Sequence, residues 1–383
     1  MRYLTLILFF INLYAIDHKS NLSYEYISYN KYSNESILSG DTKLKYEKNE
    51  YSLYTVFEYL YSSEYDKKKY FDTNELYLSN EYSDSNLNFG KMIKYWGELE
   101  AYNITDIFNK KRYINDPFDK DKKIGSYTLN DTFYFDETNL ELGMKFYEED
   151  LEYPDSDDPY YPFSLNYSDD LETSHSKYSP SVFMKYDFST EEVESENSFI
   201  FWYGYDAKRQ IILDSSTLHQ ESYVSTKLLY LSNIIYGDYI FKFEGVVTDV
   251  KSELVSDYAQ MALGLEKGIY DIKGSDLFIY LEYYKYKYFN KKQEDIDISE
   301  VYDNDMFFAL KLNLNDTDAT ELKAGVLFDI KSSERLAKVE LSTRLKDALV
   351  FSAELLILES KQSSVLTPFD DSTRFVVALT YSF

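Results

Sequence analysis

Apolar and polar residues alternate along much of this chain, most clearly at its end. Phe375, Val377, Leu379, Tyr381 and Phe383 take every second position, interleaved with Arg374, Val376, Ala378, Thr380 and Ser382. A period of two puts the first set on one face of a β-strand and the second on the other. Upstream the pattern returns. Leu349, Phe351, Ala353, Leu355 and Ile357 oppose Ser352, Glu354 and Leu356, and Ala337, Val339, Leu341, Thr343 and Leu345 oppose Lys338, Glu340, Ser342 and Arg344. Leu322, Ala324, Val326, Phe328 and Ile330 oppose Glu321, Lys323, Gly325 and Asp329, while Met306, Phe308, Leu310, Leu312 and Leu314 oppose Phe307, Ala309, Lys311 and Asn313. Five consecutive strands thus pair an apolar face with a more polar one that carries charge of both signs. Connections at 346–347 and 315–318 are short, whereas 289–305 and 360–372 are longer and polar.

This pattern suits a membrane barrel. Lipid requires apolar side chains outside, a wet lumen tolerates charge inside, and closure satisfies every backbone group. A soluble barrel inverts the faces, and alternation alone does not say which face is inward. Strand number discriminates: at roughly 20 residues per strand and connection the chain yields about 16 to 18 strands, too wide for side chains to fill the interior. Tyr51, Tyr59, Tyr61, Tyr283 and Tyr381 fall near strand ends on apolar faces, where such barrels place aromatic girdles. Upstream strands are expected near 22–30, 40–49, 51–61, 74–82, 86–95, 126–135 and 138–147, which puts 96–125 and 148–177 on the same outer side. Twelve further candidates downstream break the parity that an even barrel requires, so one assignment, within 197–231, is in excess. The expected fold is all-β: a transmembrane antiparallel barrel of about 18 strands (range about 16 to 20) with long outer loops. Glu321, Lys323, Lys338, Glu340, Arg344, Glu354 and Arg374 are the expected lumen-facing charges.

The start of the chain is of another kind. Arg2 precedes an apolar run from Leu4 to Ala15, broken only by Thr5 and Asn12, the pattern of a secretory signal peptide. It is too short to span a bilayer as a helix. Residues 1–15 are read as the signal and 16–383 as one outer-membrane barrel domain, cleaved after Ala15.

Composition narrows the chemistry. With 40 Lys+Arg against 67 Asp+Glu, a formal charge of -27 excludes a nucleic-acid partner. The absence of cysteine excludes disulfides, thiolate metal sites and cysteine nucleophiles. His18, His175 and His219 lie beside the expected cleavage point, in an acidic loop and near a turn, and no Ser or Asp spacing accompanies them as a catalytic set requires. No enzymatic activity, cofactor or metal is expected.

Two loops remain as carriers of specificity. Residues 148–172 hold ten acidic side chains and no Lys or Arg. Hard divalent cations are bound by such carboxylates, but the spacing lacks the DxDxDG pattern, so a solvated outer loop is the favoured reading. Residues 96–125 instead mix Glu98, Glu100, Asp106, Asp116, Asp119 and Asp121 with Lys110, Lys111, Arg112, Lys120, Lys122 and Lys123. Opposed charges in one long loop, folded into the lumen, suit a constriction. Its candidate residues are Glu98, Glu100, Asp106, Lys110, Lys111, Arg112, Asp116 and Asp119.

The stretch from Phe89 to Phe135 holds Phe89-Gly90-Lys91, Tyr95-Trp96-Gly97, Tyr102-Asn103, Asp106, Asn115-Asp116 and Asp119. It resembles a segment of porin-like Gram-negative outer-membrane barrels, in which a strand ending in Trp-Gly runs into a long loop with Asn-Pro and Asp. It departs at Tyr102-Asn103-Ile104, where Asn-Pro is the rule. Trp96 reads either as an interface anchor or as a pore residue, and Gly97 either as a turn or as a functional site. The resemblance implies an outer-membrane channel for passive diffusion of small hydrophilic or ionic solutes, with cation preference expected from the acidic chain. It also implies outer-membrane lipid around the barrel, and barrel-assembly machinery reading Phe375, Val377, Leu379, Tyr381 and Phe383. The alternative is a non-channel structural protein or a partner of an envelope export or lipid-transport system.

Overall fold

The computed structural model describes residues 16–190, 192–289, 302–331, 334–360 and 366–383. The expected signal segment, 1–15, lies outside them. Among the described residues eighteen strands, all paired antiparallel, close into one barrel. Numbered along the chain, they are β1 (Ile16–Tyr29), β2 (Glu35–Lys48), β3 (Tyr51–Ser62), β4 (Lys69–Glu81), β5 (Ser85–Met92), β8 (Ser126–Tyr134), β9 (Thr138–Lys145), β11 (Ser181–Thr190) and β12 (Ser195–Tyr205). The second half is β15 (Val224–Tyr236), β16 (Tyr239–Lys251), β17 (Asp257–Ile272), β18 (Ser275–Phe289), β19 (Asp305–Asn313), β20 (Glu321–Asp329), β21 (Arg335–Lys346), β22 (Leu349–Glu359) and β23 (Arg374–Ser382). Five short strands lie off the wall: β6 (Lys110–Lys111), β7 (Lys123–Ile124), β10 (Asn166–Thr173), β13 (Gln210–Asp214) and β14 (Thr217–Ser222). Within 197–231, the region of the excess assignment, β13 and β14 lie off the wall: their ladder pairs with β10 instead of the barrel.

The first and last strands close the wall, and the backbone N–H and C=O of Ser20 and Phe383 bond each other reciprocally at 2.8 and 2.9 Å. Every second side chain points out, and on the outside these are apolar: Leu322 and Ala324 on β20 are exposed while Glu321 and Lys323 between them are half-buried. Exposed apolar side chains recur around the wall, among them Leu38, Leu53, Leu78, Phe199, Leu228, Val247, Leu263, Phe308, Val339, Leu355 and Phe375. Such a belt is stable facing lipid and costly facing water. Tyr51 and Tyr381 stand exposed at one rim and Tyr61 at the other, and Tyr59 covers Gly40, its hydroxyl 3.5 Å from the Asn21 carbonyl.

The two rims differ. One carries tight turns such as Lys273-Gly274, where both residues have positive φ (57° and 88°), the geometry that matches the twist of a hairpin. The other carries the long segments 93–125, 146–180 and 206–223. Short turns mark the periplasmic rim of such barrels and long segments the outer one. β1, β2 and β4 begin five or six residues before the positions expected from alternation. The ladder continues past the lipid belt, where residues such as Asp17, Lys19 and Lys69 are polar on both faces and the period of two fades.

Candidate functional site

The long segment after β5 turns into the lumen. Gly97 makes the turn with φ 145°, and a Cβ there would lie 2.4 Å from the Asn103 side chain and 2.8 Å from a Glu244 oxygen, so only glycine fits. Beyond it the chain lies on the inner wall, held by two wall carboxylates. Glu244 on β16 accepts the Glu98 and Thr105 N–H groups at 3.0 and 3.1 Å. Glu282 on β18 accepts those of Glu100 and Ala101 at 2.6 and 3.0 Å. The Tyr284 hydroxyl accepts the Tyr102 N–H at 3.1 Å and donates to Glu282 at 2.6 Å. These backbone donors have no ladder partner, and charged acceptors satisfy them where water is excluded.

Apolar packing completes the anchorage. Trp96, Leu99, Ile104 and Phe108 are buried with Phe183, Ile200, Trp202, Leu229 and Val246 of the wall. The Trp96 ring meets Phe108 and Phe183 edge-on at 5.3 and 5.5 Å. Trp96 is therefore neither a membrane-interface anchor nor a pore-facing residue: it points inward and is covered. Asn109 pins the neck of the segment, its amide donating to the carbonyls of Met92 and Ile124 at 3.1 and 2.9 Å.

The constriction candidates distribute as follows. Glu100 pairs with Lys323, and Asp106 with Lys123. Arg112 meets Asp72 at 2.6 Å and stacks on Tyr70. Asp116 meets Arg374 at 2.7 Å, which holds its carboxyl below the usual range against the cost of burial. Lys110 is buried against Glu148 at 2.7 Å, and burial lowers its ammonium to about 7. Lys111 sits over the Tyr102 ring and is lowered by burial to about 8. Asp119 accepts the Asp121 N–H at 2.9 Å. Among the described residues Glu98, Lys111 and Asp119 have no ion-pair partner.

The wall charges form their own network. Lys338 lies 2.8 Å from Glu340 and 3.0 Å from Glu354, Arg374 lies 2.7 Å from Glu354, and Glu321 lies 2.9 Å from Lys311. Arg344 is exposed towards the short-turn rim.

The acidic segment 148–172 is a solvated loop only in part: Glu152, Asp157, Asp170 and Glu172 are exposed, while five of its ten acids meet Lys or Arg side chains. Glu148 is buried among Lys110, Lys145 and Arg209, which together hold it well below the carboxylate range despite burial. Asp150 pairs with Lys177, Asp158 with Lys68 and Asp169 with Lys67. Among the described residues the carboxylates that converge to within 4.8 Å are Asp303, Asp305 and Asp329, outside this segment. His175 is exposed, and His219 lies 3.7 Å from Glu172.

What the segments leave open is a cavity of about 560 Å³ along β1–β4, β22 and β23. It is lined by eight carboxylates (Glu25, Asp41, Glu58, Glu75, Asp116, Asp119, Asp121 and Glu354) and five cationic side chains (Lys43, Lys68, Lys122, Lys123 and Arg374). Glu25, Asp41, Glu75, Asp119 and Asp121 lack ion-pair partners among the described residues, as do Lys43 and Lys122. Asn21 and Thr380 lie towards its short-turn end, and Tyr29 and Tyr160 towards the other.

Sequence reasoning missed Glu244, Glu282 and Tyr160, and it gave Glu148 as one of ten loop acids without its cation partners. Glu282 carries a faint signal, an acid between Tyr280 and Tyr284 on one strand face. Tyr160 carries none, since its partners are distant in sequence.

The fold and the site define a transmembrane β-barrel whose charge-lined lumen is narrowed by inward segments. No family model and no curated protein matches the sequence. Solved structures match the fold. OccK3 (OpdO) of Pseudomonas aeruginosa aligns with a TM-score of 0.59 at 9% identity over 96% of this chain and 95% of its own. OccK2 (OpdF) of the same organism, solved with glucuronate, gives 0.57 at 10% over 96% and 95%. Wzi of Escherichia coli, an outer-membrane protein involved in group 1 capsule assembly and a carbohydrate-binding barrel, gives 0.57 at 10% over 99% and 87%.

Proposed function

We propose that this protein is an outer-membrane channel for passive diffusion of small hydrophilic or ionic solutes, with cations preferred. The observation that carries the reading is the lumen cavity, in which eight carboxylates face five cationic groups. In a narrow, low-dielectric passage such an imbalance concentrates counter-ions of the opposite sign. Glu98, Lys111 and Asp119, whose charges are not spent on ion pairs, and the wall charges from Glu321 to Arg374 are the groups that tune it. In this reading the chain is exported, cut after Ala15, and delivered to the barrel-assembly machinery by its last strand. No step of catalysis is part of it.

Reversal potentials of the refolded 16–383 protein in a salt gradient test the selectivity. Cation preference that falls in Asp119→Asn/Asp121→Asn is the expected result; anion selectivity would overturn it. One observation favours a second reading, a non-channel envelope component: the cavity is covered at its outer end, and the Wzi likeness points the same way. A folded barrel silent in bilayers, which co-purifies with an envelope partner, would support that alternative.

A further inference from the structure

The segment between β9 and β11 leaves the wall on one side of the barrel and is tied down on the other. Its stretch 153–160 is fastened to the β3–β4 turn and to the β22–β23 connection. Lys67 donates its N–H to Asp155 at 2.9 Å and its ammonium to the Tyr153 carbonyl at 3.0 Å. Lys68 meets Asp158 at 2.8 Å. Ser372 donates to the Pro159 carbonyl at 2.6 Å, and Arg374 donates to the Tyr160 hydroxyl. The Tyr160 ring is buried at the outer end of the lumen cavity, edge-on to Tyr29 and Phe118 at 6.3 and 6.1 Å.

Two features distinguish this stretch from the wall. It adds no strand to the barrel, so nothing in the eighteen-stranded ladder has to break for it to leave. Pro154 and Pro159 interrupt it, and a backbone with two missing donors is poorly suited to joining a sheet. Its ties are side-chain contacts instead of ladder bonds: those of Lys67 are half-exposed at the rim, whereas Lys68, Asp158, Ser372 and Tyr160 are buried. The segment that carries Trp96 is fixed to the wall by four N–H to carboxylate bonds and an apolar cluster of its own.

We propose that residues 153–160 are a gate strap: docked as here, Tyr160 stoppers the outer end of the lumen cavity, and release of the strap from Lys68, Ser372 and Arg374 opens it. The inference rests on the channel reading. It makes the immobile segment 93–125 the filter and the strap the moving part, two roles on two pieces of chain.

The chain has no cysteine, so Lys68→Cys/Asp158→Cys introduces a single reactive pair. Lys68 also meets the buried Glu35 at 3.3 Å, so Glu35→Gln is added, and replacing all three ionised groups leaves no unpaired buried charge. The triple variant, refolded and bridged by a short bifunctional thiol reagent with a reducible link, is recorded in planar bilayers before and after reduction. Heat-modifiable gel migration of the same samples verifies the closed barrel. The expected result is a low open probability when bridged and an increase of about tenfold on reduction, the factor that about 1.4 kcal/mol of lost anchoring gives. Tyr160→Ala without any bridge should open likewise. Equal, well-resolved conductance in the bridged, reduced and Tyr160→Ala forms would overturn the gate and leave the channel reading standing. Silence in all three, and in a variant lacking 153–160, would overturn the channel reading itself.

Discussion

The clamp between the wall and the inward segment gives a sharp prediction. Glu244 accepts the Glu98 and Thr105 N–H groups, Glu282 those of Glu100 and Ala101. Both carboxylates are nearly sealed from solvent, at 1% and 3% exposure, so a donor that loses its partner gains no water in exchange. Hydrogen bonds to charged groups contribute about 1.5–3 kcal/mol each, so Glu244→Ala should weaken local docking by about 3–6 kcal/mol. The apolar cluster around Trp96 remains, so the segment loosens without unfolding the barrel. At about 1.4 kcal/mol per factor of ten, the Glu98 and Thr105 amides should exchange with deuterium at least about a hundredfold faster. Glu282→Ala should act on Glu100 and Ala101 instead. Exchange resolved to single amides in detergent micelles separates the two. Unchanged rates at Glu98 and Thr105 in Glu244→Ala, or an identical footprint for both variants, would refute the idea of two local clamps.

Two further outcomes follow from the geometry. Gly97→Ala drives a Cβ against Asn103 and Glu244 at a strained backbone angle. A penalty of about 1–3 kcal/mol is expected, read as faster exchange of the Leu99 amide, which donates to Asn103 at 2.7 Å. Burial raises the Asp158 carboxyl to about 7; Lys68 opposes the rise, Glu35 and Asp155 add to it, and Tyr65 and Tyr29 also face it. Released into water it returns to about 3.9. The docked strap therefore holds the proton that the released strap gives up, so docking is most favourable below about pH 4 and weakens as pH rises through about 7. Open probability should climb over that interval and flatten in Asp158→Asn; a climb on acidification would contradict the sign.

The wall was legible because its cause is local. Each of Phe375 to Phe383 and Leu322 to Ile330 meets lipid or lumen according to its own parity, and no distant residue has to be known. The eighteen strands followed; in the 197–231 region, where one assignment was in excess, β13 and β14 pair with β10 instead of joining the wall. The lumen was legible only in outline. Ten acids between 148 and 172 look solvated, yet Glu148, Glu149, Asp150, Asp158 and Asp169 are met by Lys67, Lys68, Lys110, Lys145, Lys177 and Arg209, all outside the segment. Trp96 read as either an interface or a pore residue because Phe183 and Trp202, which cover it, lie about a hundred positions downstream. Pairing across a lumen leaves no periodic trace.

The seam between β1 and β23 has a kinetic consequence. All other wall pairings join strands that follow one another around the sheet in chain order, so each can form as a hairpin or across one inward segment. The last pairing alone must bring Ser20 to Phe383. Its loop-closure entropy falls due in one step, after the rest of the sheet has curled. Until then two edges stand open in the bilayer, each a row of unmet donors and acceptors. Assembly should therefore show an all-or-none final event whose rate responds to substitutions at Asn21–Tyr29 and Arg374–Ser382 far more than to equally conservative changes elsewhere in the wall.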